Sequence, residues 1–342
     1  MRTLVTGATG VVGVELVDQL SGPDGGPSVV RTARRPTDPA LVSWRIGHEP
    51  PPAELSGHWD VIVHAAASTR WTLSRSEAVA ANIEPLRAVL ALADTDTHLV
   101  QVSTAYVGGA RNPEDLRGEE FAGYRNGYEW SKAVCEEIVR EEHRGPLTVV
   151  RPPLIVGRRT DGGISRFSGP YTLLQALVSG LAAVVVGDPG GRAEISPVDQ
   201  VAAVIAGAVR GTPPSSPRTE VIAGGQRSLR LDTLLDVACR TINECRAAHG
   251  AAPIERPPIV PVDGWNRFFL PLAERYLSPL QTQAVKLLAM FQSYTSMGEP
   301  FEPTHAVADP AAVMAGAVRY WAARRPRLAL ARPTPWTLIA AD

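Results

Sequence analysis

The chain has 342 residues, of which 44% are hydrophobic and 20% are charged, and its formal net charge is -1. This composition is typical of a globular protein with enough apolar surface for one or two domains. Because a nearly neutral chain creates no broad positive field, nucleic acid and acidic membrane surfaces are not expected as partners. A small molecule is the expected partner, and a homodimer is compatible with the sequence.

The cysteines Cys135, Cys239 and Cys245 lie at no metal-ligand spacing from one another or from a histidine. The sequence therefore predicts no metal site and a reducing compartment. The chain leads from Met1 directly into an apolar strand pattern, without the layout of a signal peptide. The longest mostly apolar run, 176–187, is shorter than the roughly 20 residues of a membrane-spanning helix. We expect a cytoplasmic protein without stable membrane insertion.

The first half of the chain alternates short apolar runs with longer segments of helical periodicity. This pattern is typical of βαβ units, and it predicts an α/β fold of the Rossmann type with a doubly wound parallel sheet. The predicted strands are 3–6, 28–33, 42–46, 60–64, 98–103 and 147–150, and the predicted helices are 11–20, 78–93 and 127–142.

The second half is rich in Gly, Pro and Arg and predicts a smaller, mostly helical substrate lobe. Its predicted helices are 171–179, 198–210, 231–248, 280–294 and 311–323, with a Pro/Ser linker at 212–217. We therefore predict a nucleotide-binding domain at 1–157, a substrate lobe at 158–325 and an extended tail at 326–342. Segments around 193–225 are expected to return to the first domain.

A glycine-rich turn follows the first predicted strand and opens the first predicted helix. Its residues are Gly7, Ala8, Thr9, Gly10, Val11, Val12 and Gly13. Glycines at this point let backbone amides approach a pyrophosphate, which then faces the positive end of the helix. The position of the turn favours a dinucleotide-binding site over a merely flexible loop.

The end of the second strand selects between the two nicotinamide cofactors. An acidic residue there pairs with the ribose 2′-hydroxyl of NAD, whereas arginine suits the 2′-phosphate of NADP. This chain has Arg34 and Arg35 and no acidic residue at that point. The sequence favours NADP(H) over NAD(H), with solvated surface arginines as the alternative interpretation.

Tyr128 and Lys132 lie four residues apart on a predicted helix and therefore share one face. A nearby ammonium favours the phenolate, so Lys132 is expected to bring the pKa of Tyr128 toward neutrality. Tyr128 could then give a proton to a carbonyl oxygen as a hydride reaches its carbon. Thr104, at the end of the fifth strand, offers a hydroxyl to the same oxygen, and Ser103 is the rival for this role.

Together these residues resemble the family of extended short-chain dehydrogenases/reductases. The resemblance places the nucleotide motif at Gly7, Gly10 and Gly13 and implies that Lys132 contacts the nicotinamide ribose. The further residues that it implies are Asn82 and Thr104 in catalysis, and Ala65, Ala66, Ala67, Ser103, Arg151, Pro152, Pro153, Leu154 and Ile155 beside the cofactor.

Within that family the chain is similar to the fatty acyl-CoA reductase and thioester-reductase branch. The similar segments are 103–109, 187–199 and 294–302. This resemblance implies a substrate held as a thioester on coenzyme A or on a carrier protein. One departure is Gly47-His48 after the third strand, where the family usually has Gly-Asp, so the adenine contacts must differ.

Several roles remain open at the level of sequence. Asn82 either anchors a water that relays protons to Lys132 or bonds backbone near the site. His64 reads as a structural residue rather than a proton shuttle. Arginines 158, 159 and 166 are either solvated loop charges or contacts to a phosphate of the thioester carrier.

The first functional hypothesis is an NADPH-dependent reductase that converts an acyl thioester to an aldehyde or alcohol. The alternative is a ketone or aldehyde reductase, or an epimerase or dehydratase, acting on a small metabolite. A non-enzymatic NADP sensor is a third. Aromatic residues in the last third of the chain favour a hydrophobic substrate slightly, although such residues more often build a core. They are Trp265, Phe268, Phe269, Tyr276, Phe291 and Tyr294.

Overall fold

The computed structural model describes residues 1–21, 27–36, 38–108, 121, 123–271, 277–278, 281 and 291–333. The chain divides into two compact units. The first unit consists of Met1–Pro153, Val198–Ile222 and Pro303–His305, and the second of Leu154–Pro197, Ala223–Glu302 and Ala306–Asp342. The division after Pro153 falls four residues before the predicted boundary, and 198–222 belongs to the first unit.

The strands in the described part of the chain are short and mostly parallel. In chain order they are β1 (Arg2–Thr6), β2 (Ser28–Ala33), β3 (Leu41–Ser43), β4 (Val61–His64), β5 (His98–Val102), β6 (Leu147–Arg151), β7 (Leu154–Val156), β8 (Val185–Val186), β9 (Arg192–Ala193), β10 (Ile195–Pro197), β11 (Arg218–Ala223), β12 (Leu229–Arg230), β13 (Ile259–Val260) and β14 (His305–Ala306).

The helices connect these strands along the chain. They are α1 (Val11–Leu20), α2 (Arg75–Ala78), α3 (Glu84–Leu90), α4 (Gly127–Glu142), α5 (Pro170–Ser179), α6 (Val198–Arg210), α7 (Leu231–Ala247), α8 (Val262–Gly264), α9 (Pro310–Arg324) and α10 (Pro326–Ala329). A π-helical turn, Val79–Ile83, joins α2 to α3, and a second one, Trp265–Phe269, follows α8.

An eight-stranded sheet has the order β14-β11-β6-β5-β4-β1-β2-β3. From β3 through β11 neighbouring strands pair in parallel. Strands β4 and β5 are buried along their whole length, as expected for a parallel sheet covered on both faces. This arrangement confirms the predicted α/β Rossmann fold, and the order reverses beside β1, where such folds bind a dinucleotide.

Two predicted elements differ in the structure. The predicted strand 42–46 is the shorter Leu41–Ser43, and the predicted single helix 78–93 is α2, the π-helical turn and α3. Strand β11 follows the predicted linker 212–217 and was not predicted. The predicted helix 280–294 lies mostly outside the described residues.

The prediction of an extended tail from residue 326 is wrong for its first part, because Pro326–Ala329 forms α10. Ala329 is buried, and its carbonyl accepts a hydrogen bond from Arg246 Nη1 over 2.5 Å. Arg246, itself only 1% exposed, also donates to the carbonyl of Ala331 over 3.0 Å and of Ala252 over 2.6 Å. A buried guanidinium therefore fixes this segment, and 334–342 lies outside the described residues.

In the second unit Trp265, Phe291 and Tyr294 are buried, whereas Phe268 is 69% exposed. The side chain of Phe269 and the whole of Tyr276 lie outside the described residues. Most of the described aromatic side chains in this set therefore belong to packed interior. None of the helices in the described ranges is both long enough and apolar enough to cross a membrane.

Candidate active site

The glycine turn after β1 has the backbone that a pyrophosphate cradle requires. Gly7 has φ +70°, and a Cβ on Gly13 would lie 2.1 Å from the carbonyl oxygen of Gly7. A Cβ on Gly7 would lie 2.6 Å from the amide nitrogen of Ala66, which follows β4. Gly10 caps α1 without a side-chain hydrogen bond, so the first amides of that helix are not capped by a side chain. The turn therefore fits a bound phosphate group.

The end of β2 presents two guanidiniums to solvent. Arg34 and Arg35 are exposed and form no ion pair with any residue that the structure describes. The neighbouring Arg31 differs, because its guanidinium lies 3.3 Å from the carboxylate of Asp38. Arg34 and Arg35 are therefore available to an anionic group at the edge of the sheet where NADP carries its 2′-phosphate.

His64 closes β4 beside the glycine turn. Its Nδ1 lies 2.8 Å from the hydroxyl of Thr6, and its side chain is fully enclosed. Burial, and then the charge of Lys132, lower the pKa of His64 to about 3. A histidine that stays neutral and is bonded to a neighbouring strand fits a structural role better than a proton shuttle.

Asn82 lies in the π-helical turn and is buried. Its Oδ1 accepts from the backbone N–H of Ser68 over 2.7 Å, and its Nδ2 donates to the carbonyl of Ser68 over 3.1 Å. The same Nδ2 donates to Ser131 Oγ over 2.8 Å. Of the two roles left open for Asn82, these bonds favour the one that fixes backbone near the site.

Thr104 and Tyr128 meet beyond the end of β5. Thr104 Oγ1 donates to the carbonyl of Pro152 over 3.2 Å, and its hydroxyl lies near enough to the phenol of Tyr128 to lower the pKa of that phenol. Burial is the largest effect on Tyr128 and raises the pKa of its phenol far above the ordinary value. Thr104 opposes this rise, whereas the charge of Glu129 adds to it. The phenol is therefore held in its protonated form.

Lys132 is buried one helical turn beyond Tyr128, and its Nζ donates to the carbonyl of Val102 over 2.8 Å. Burial lowers the pKa of Lys132, while Cys135 and Glu136 oppose that shift. The sequence led us to expect that Lys132 brings the pKa of Tyr128 toward neutrality. In the structure burial raises that pKa instead, and Lys132 is not among the groups that shift it.

Ser103 carries a buried hydroxyl that bonds to none of the residues described in the structure. Its backbone is fixed, because its N–H donates to the carbonyl of Val150 over 2.8 Å. A buried polar atom without a partner is rare in a folded protein. Together with the open cradle at Gly7, it fits the predicted position of a cofactor beside the ends of β1 and β5.

Arg151 ends β6, and the structure pairs it with Glu136, a residue that the sequence analysis missed. Nε and Nη2 of Arg151 donate to the two oxygens of Glu136 over 2.9 and 2.5 Å. The guanidinium lies so close to Gly108 that a Cβ there would be 2.6 Å from Nη1. Arg151 is thus held by Glu136 rather than standing free for a cofactor. The spacing of Glu136, four residues after Lys132 on α4, is the signal that could have found it.

The predicted contacts Leu154 and Ile155 lie on β7, in the second unit. Pro153 is the last residue of the first unit's opening segment. Leu154 lines an apolar cavity within the second unit, together with side chains of α5, α7 and α9. In the same unit Arg158 pairs with Asp161 over 2.9 Å, so it is held by the protein's own carboxylate. No cluster of His, Cys, Asp and Glu in the described ranges could hold a metal ion.

Comparison with known proteins gives a family match and several relatives. A family model described as "Male sterility protein", an NAD-binding domain, matches residues 49–205. The chain is similar to the fatty acyl-CoA reductase wat of Drosophila melanogaster, with 26% identity over 174 residues that cover 41% of this chain and 34% of that protein. The chain thus spans about a third of the length of this curated relative.

Two solved structures share the fold. The terminal R domain of the myxalamid PKS-NRPS pathway has a TM-score of 0.68 and 21% identity, covering 95% of this chain and 91% of that one. A thiolation-reductase di-domain from an archaeal non-ribosomal peptide synthetase has a TM-score of 0.64 and 14% identity, covering 95% of this chain and 76% of that one. Residues 49–205 therefore match the NAD-binding family described as male sterility protein, and the chain is similar to a fatty acyl-CoA reductase. These matches confirm the predicted resemblance to the fatty acyl-CoA reductase and thioester-reductase branch of the extended short-chain dehydrogenases/reductases.

Proposed function

We propose that the protein is an NADPH-dependent reductase of acyl thioesters that produces an aldehyde or, after a second reduction, an alcohol. The observation that carries this proposal is the meeting of Thr104 and Tyr128 beyond β5, where Thr104 bonds the carbonyl of Pro152 and Lys132 donates to the carbonyl of Val102 at the end of the strand. A protonated phenol beside a hydroxyl is an arrangement that can receive a carbonyl oxygen as negative charge develops on it.

The nicotinamide cofactor would supply the hydride that reaches the carbonyl carbon. Tyr128 donates its proton to the carbonyl oxygen, and Thr104 holds that oxygen through its hydroxyl. The C–S bond of the resulting hemithioacetal then breaks. Its hydroxyl loses a proton and becomes the aldehyde carbonyl, and the departing sulfur gains a proton and leaves as the thiol. A pKa of Tyr128 raised by burial suits this direction of the reaction, because only the protonated phenol can donate.

The residues that would hold the cofactor are those of the glycine turn, the end of β4 and the end of β5. The pyrophosphate would lie against the turn formed by Gly7, Thr9, Gly10, Val11, Val12 and Gly13. Ala65, Ala66 and Ala67, which follow β4, would lie beside it. Ser103 and Lys132 would meet the nicotinamide ribose, and Arg34 and Arg35 the 2′-phosphate. The absence of an acidic residue at the end of β2 supports NADPH rather than NADH.

The relatives support a thioester as the substrate class. One matched relative is named a fatty acyl-CoA reductase, and one structural neighbour joins a reductase to a thiolation domain. We infer that the acyl group reaches this protein on coenzyme A or on a carrier. A reaction in the cytoplasm is the simplest setting for this chemistry, because it uses a diffusible reduced nucleotide.

The test is NADPH oxidation at 340 nm with octanoyl-CoA, an octanoyl-loaded carrier protein, octanal and a simple ketone. We expect turnover of a thioester, with free thiol released in step with NADPH oxidation. Turnover of the ketone with no thioester consumed would contradict the proposal and favour a carbonyl reductase. Product formation without net oxidation of NADPH would favour an epimerase or dehydratase.

A further inference from the structure

A cluster of exposed arginines in the second unit takes no part in the site described above. We call Arg166, Arg324, Arg325 and Arg327 the arginine patch. All four side chains are exposed, and none forms an ion pair with a residue that the structure describes. Each of these guanidiniums thus has donors to offer to an outside acceptor.

Two neighbouring aromatic rings bring Arg324 and Arg325 close together. The guanidinium carbon of Arg325 lies 5.7 Å from the centre of the Phe167 ring, and that of Arg324 lies 5.4 Å from the centre of Tyr320. The two rings are 6.1 Å apart, and Arg166 precedes Phe167 in the chain. Stacking of this kind holds a guanidinium in place while leaving its N–H groups free to bond.

The patch is an exception to the charge balance of the whole chain. The protein has 34 basic and 35 acidic side chains, whereas the sequence has no Asp or Glu between Asp309 and Asp342. That stretch contains five arginines, of which Arg319 is paired with Glu244 over 3.4 Å. The local field at α10 is therefore positive, although the chain as a whole is nearly neutral.

One exposed apolar residue lies within this charged segment. Leu328, on α10 between Arg327 and the buried Ala329, is 39% exposed. Leucine at the surface amid arginines matches the composition of a protein interface, where an apolar contact is surrounded by charged groups. A small phosphorylated ligand would gain nothing from it.

We propose that the arginine patch and Leu328 dock an acidic carrier protein that presents the acyl group as its thioester. The proposal rests on the proposed function for the identity of the carried group. Carboxylates on the carrier would pair with the guanidiniums, and an apolar side chain between them would cover Leu328. Such a contact would act chiefly on capture of the carrier, since complementary charge raises association rates and suppresses wrong partners.

The test compares two variants with the same change of charge. R324E/R325E/R327E reverses the patch, and R144E/R227E/R240E reverses three exposed arginines elsewhere. The probe is an acidic acyl carrier protein loaded with an octanoyl-phosphopantetheine arm. Its Kd is measured by fluorescence anisotropy at two salt concentrations. Steady-state KM values are measured with the same carrier, octanoyl-CoA and octanoyl-N-acetylcysteamine.

We expect the patch variant to raise the Kd and KM for the carrier by about tenfold or more and to leave KM for the N-acetylcysteamine thioester within about twofold. The control variant should leave all of these values within about twofold, and L328S should weaken carrier binding without changing its salt dependence. Unchanged carrier binding in the patch variant would overturn the proposal. An equal rise in KM for octanoyl-CoA would also overturn it, because the patch would then recognise phosphate.

The two proposals fail separately. If no thioester is reduced but the patch variant still loses carrier binding, the docking surface stands and the proposed reaction falls. If octanoyl-N-acetylcysteamine is reduced but the carrier does not bind the native protein, the reaction stands and the docking surface falls.

Discussion

The side-chain amide of Asn82 donates to the hydroxyl of Ser131 over 2.8 Å, and Ser131 in turn donates to the carbonyl of Tyr128 over 2.8 Å. Asn82 also accepts a hydrogen bond from the backbone N–H of Ser68 and donates one to its carbonyl. The loop after β4 is therefore tied to the helix that carries Tyr128 and Lys132. The loop after β4 and helix α4 are thereby held in fixed positions relative to each other.

Replacing Asn82 by alanine should loosen that loop. We expect the Kd for NADPH to rise about tenfold and the free energy of unfolding to fall by about 1–3 kcal/mol, because buried partners lose their hydrogen bonds. Nucleotide fluorescence and urea unfolding measure the two effects. Asn243→Ala is the matched control, since Asn243 clamps the backbone of Ile254 in the second unit in a similar way. A similar loss of nucleotide affinity in both variants would argue against a specific role.

Tyr128→Phe removes the proton donor and keeps the ring. We expect kcat to fall by about 10²–10⁴-fold, with the Kd for NADPH nearly unchanged. Single-turnover reduction of octanoyl-CoA separates the chemical step from binding. Tyr171→Phe, which removes the hydroxyl that accepts from the N–H of Gly157, should leave the chemical step intact. Full activity in the Tyr128 variant would remove this residue from the mechanism.

The double variant R34A/R35A tests the choice of nucleotide. Loss of two cations facing the 2′-phosphate should raise KM for NADPH about 10–100-fold and leave KM for NADH little changed. KM is measured for both nucleotides with R34A/R35A and with the control variant R240A. Equal effects on NADPH and NADH would show that the arginines do not read the phosphate.

Stability should fall as the pH drops below about 6.5, the ordinary pKa of histidine. Burial lowers the pKa of His64 to about 3 and that of His98 to about 4. Between those values and 6.5 the unfolded chain binds protons that the folded chain does not. Folding therefore loses up to about 1.4 kcal/mol per pH unit for each group.

Urea unfolding at pH 7.5, 6.0 and 5.0 measures this loss. His98→Gln should reduce the slope, because one of the two buried histidines no longer titrates. The window lies above the pKa range of ordinary carboxylates, so their protonation adds little. Burial raises the pKa of Glu194, and the hydrogen bond with Asp94 raises that of His58, so these two groups oppose part of the loss. A flat stability profile over this range would contradict the burial-induced shifts.

The sequence was sufficient for the parts of the molecule that local pattern determines. Periodicity located the sheet and its helices, and the position of Gly7 located the edge of the sheet that we propose binds the nucleotide. The spacing of Tyr128 and Lys132 indicated that they share one face of a helix. Contacts between distant segments carry no such pattern. Glu136 meets Arg151, and Arg246 meets Ala329, only because the fold joins them.

The electrostatic prediction failed for a related reason. Spacing placed Lys132 one turn from Tyr128, but it did not reveal that Lys132 is buried or that its Nζ donates to the carbonyl of Val102. Burial then dominates the pKa of the phenol. Strand β11 was missed because its sequence begins with Arg218, Thr219 and Glu220 and leaves only a short apolar run.

The guanidinium of Arg246 also sets a practical limit on how far the chain can be trimmed. A chain that stops before Ala329 lacks two of the three carbonyl groups that accept hydrogen bonds from this buried guanidinium. An uncompensated charge in the interior is costly. Deletions at this end should therefore reveal themselves as a poor yield of folded material, well before any change in substrate preference can be measured.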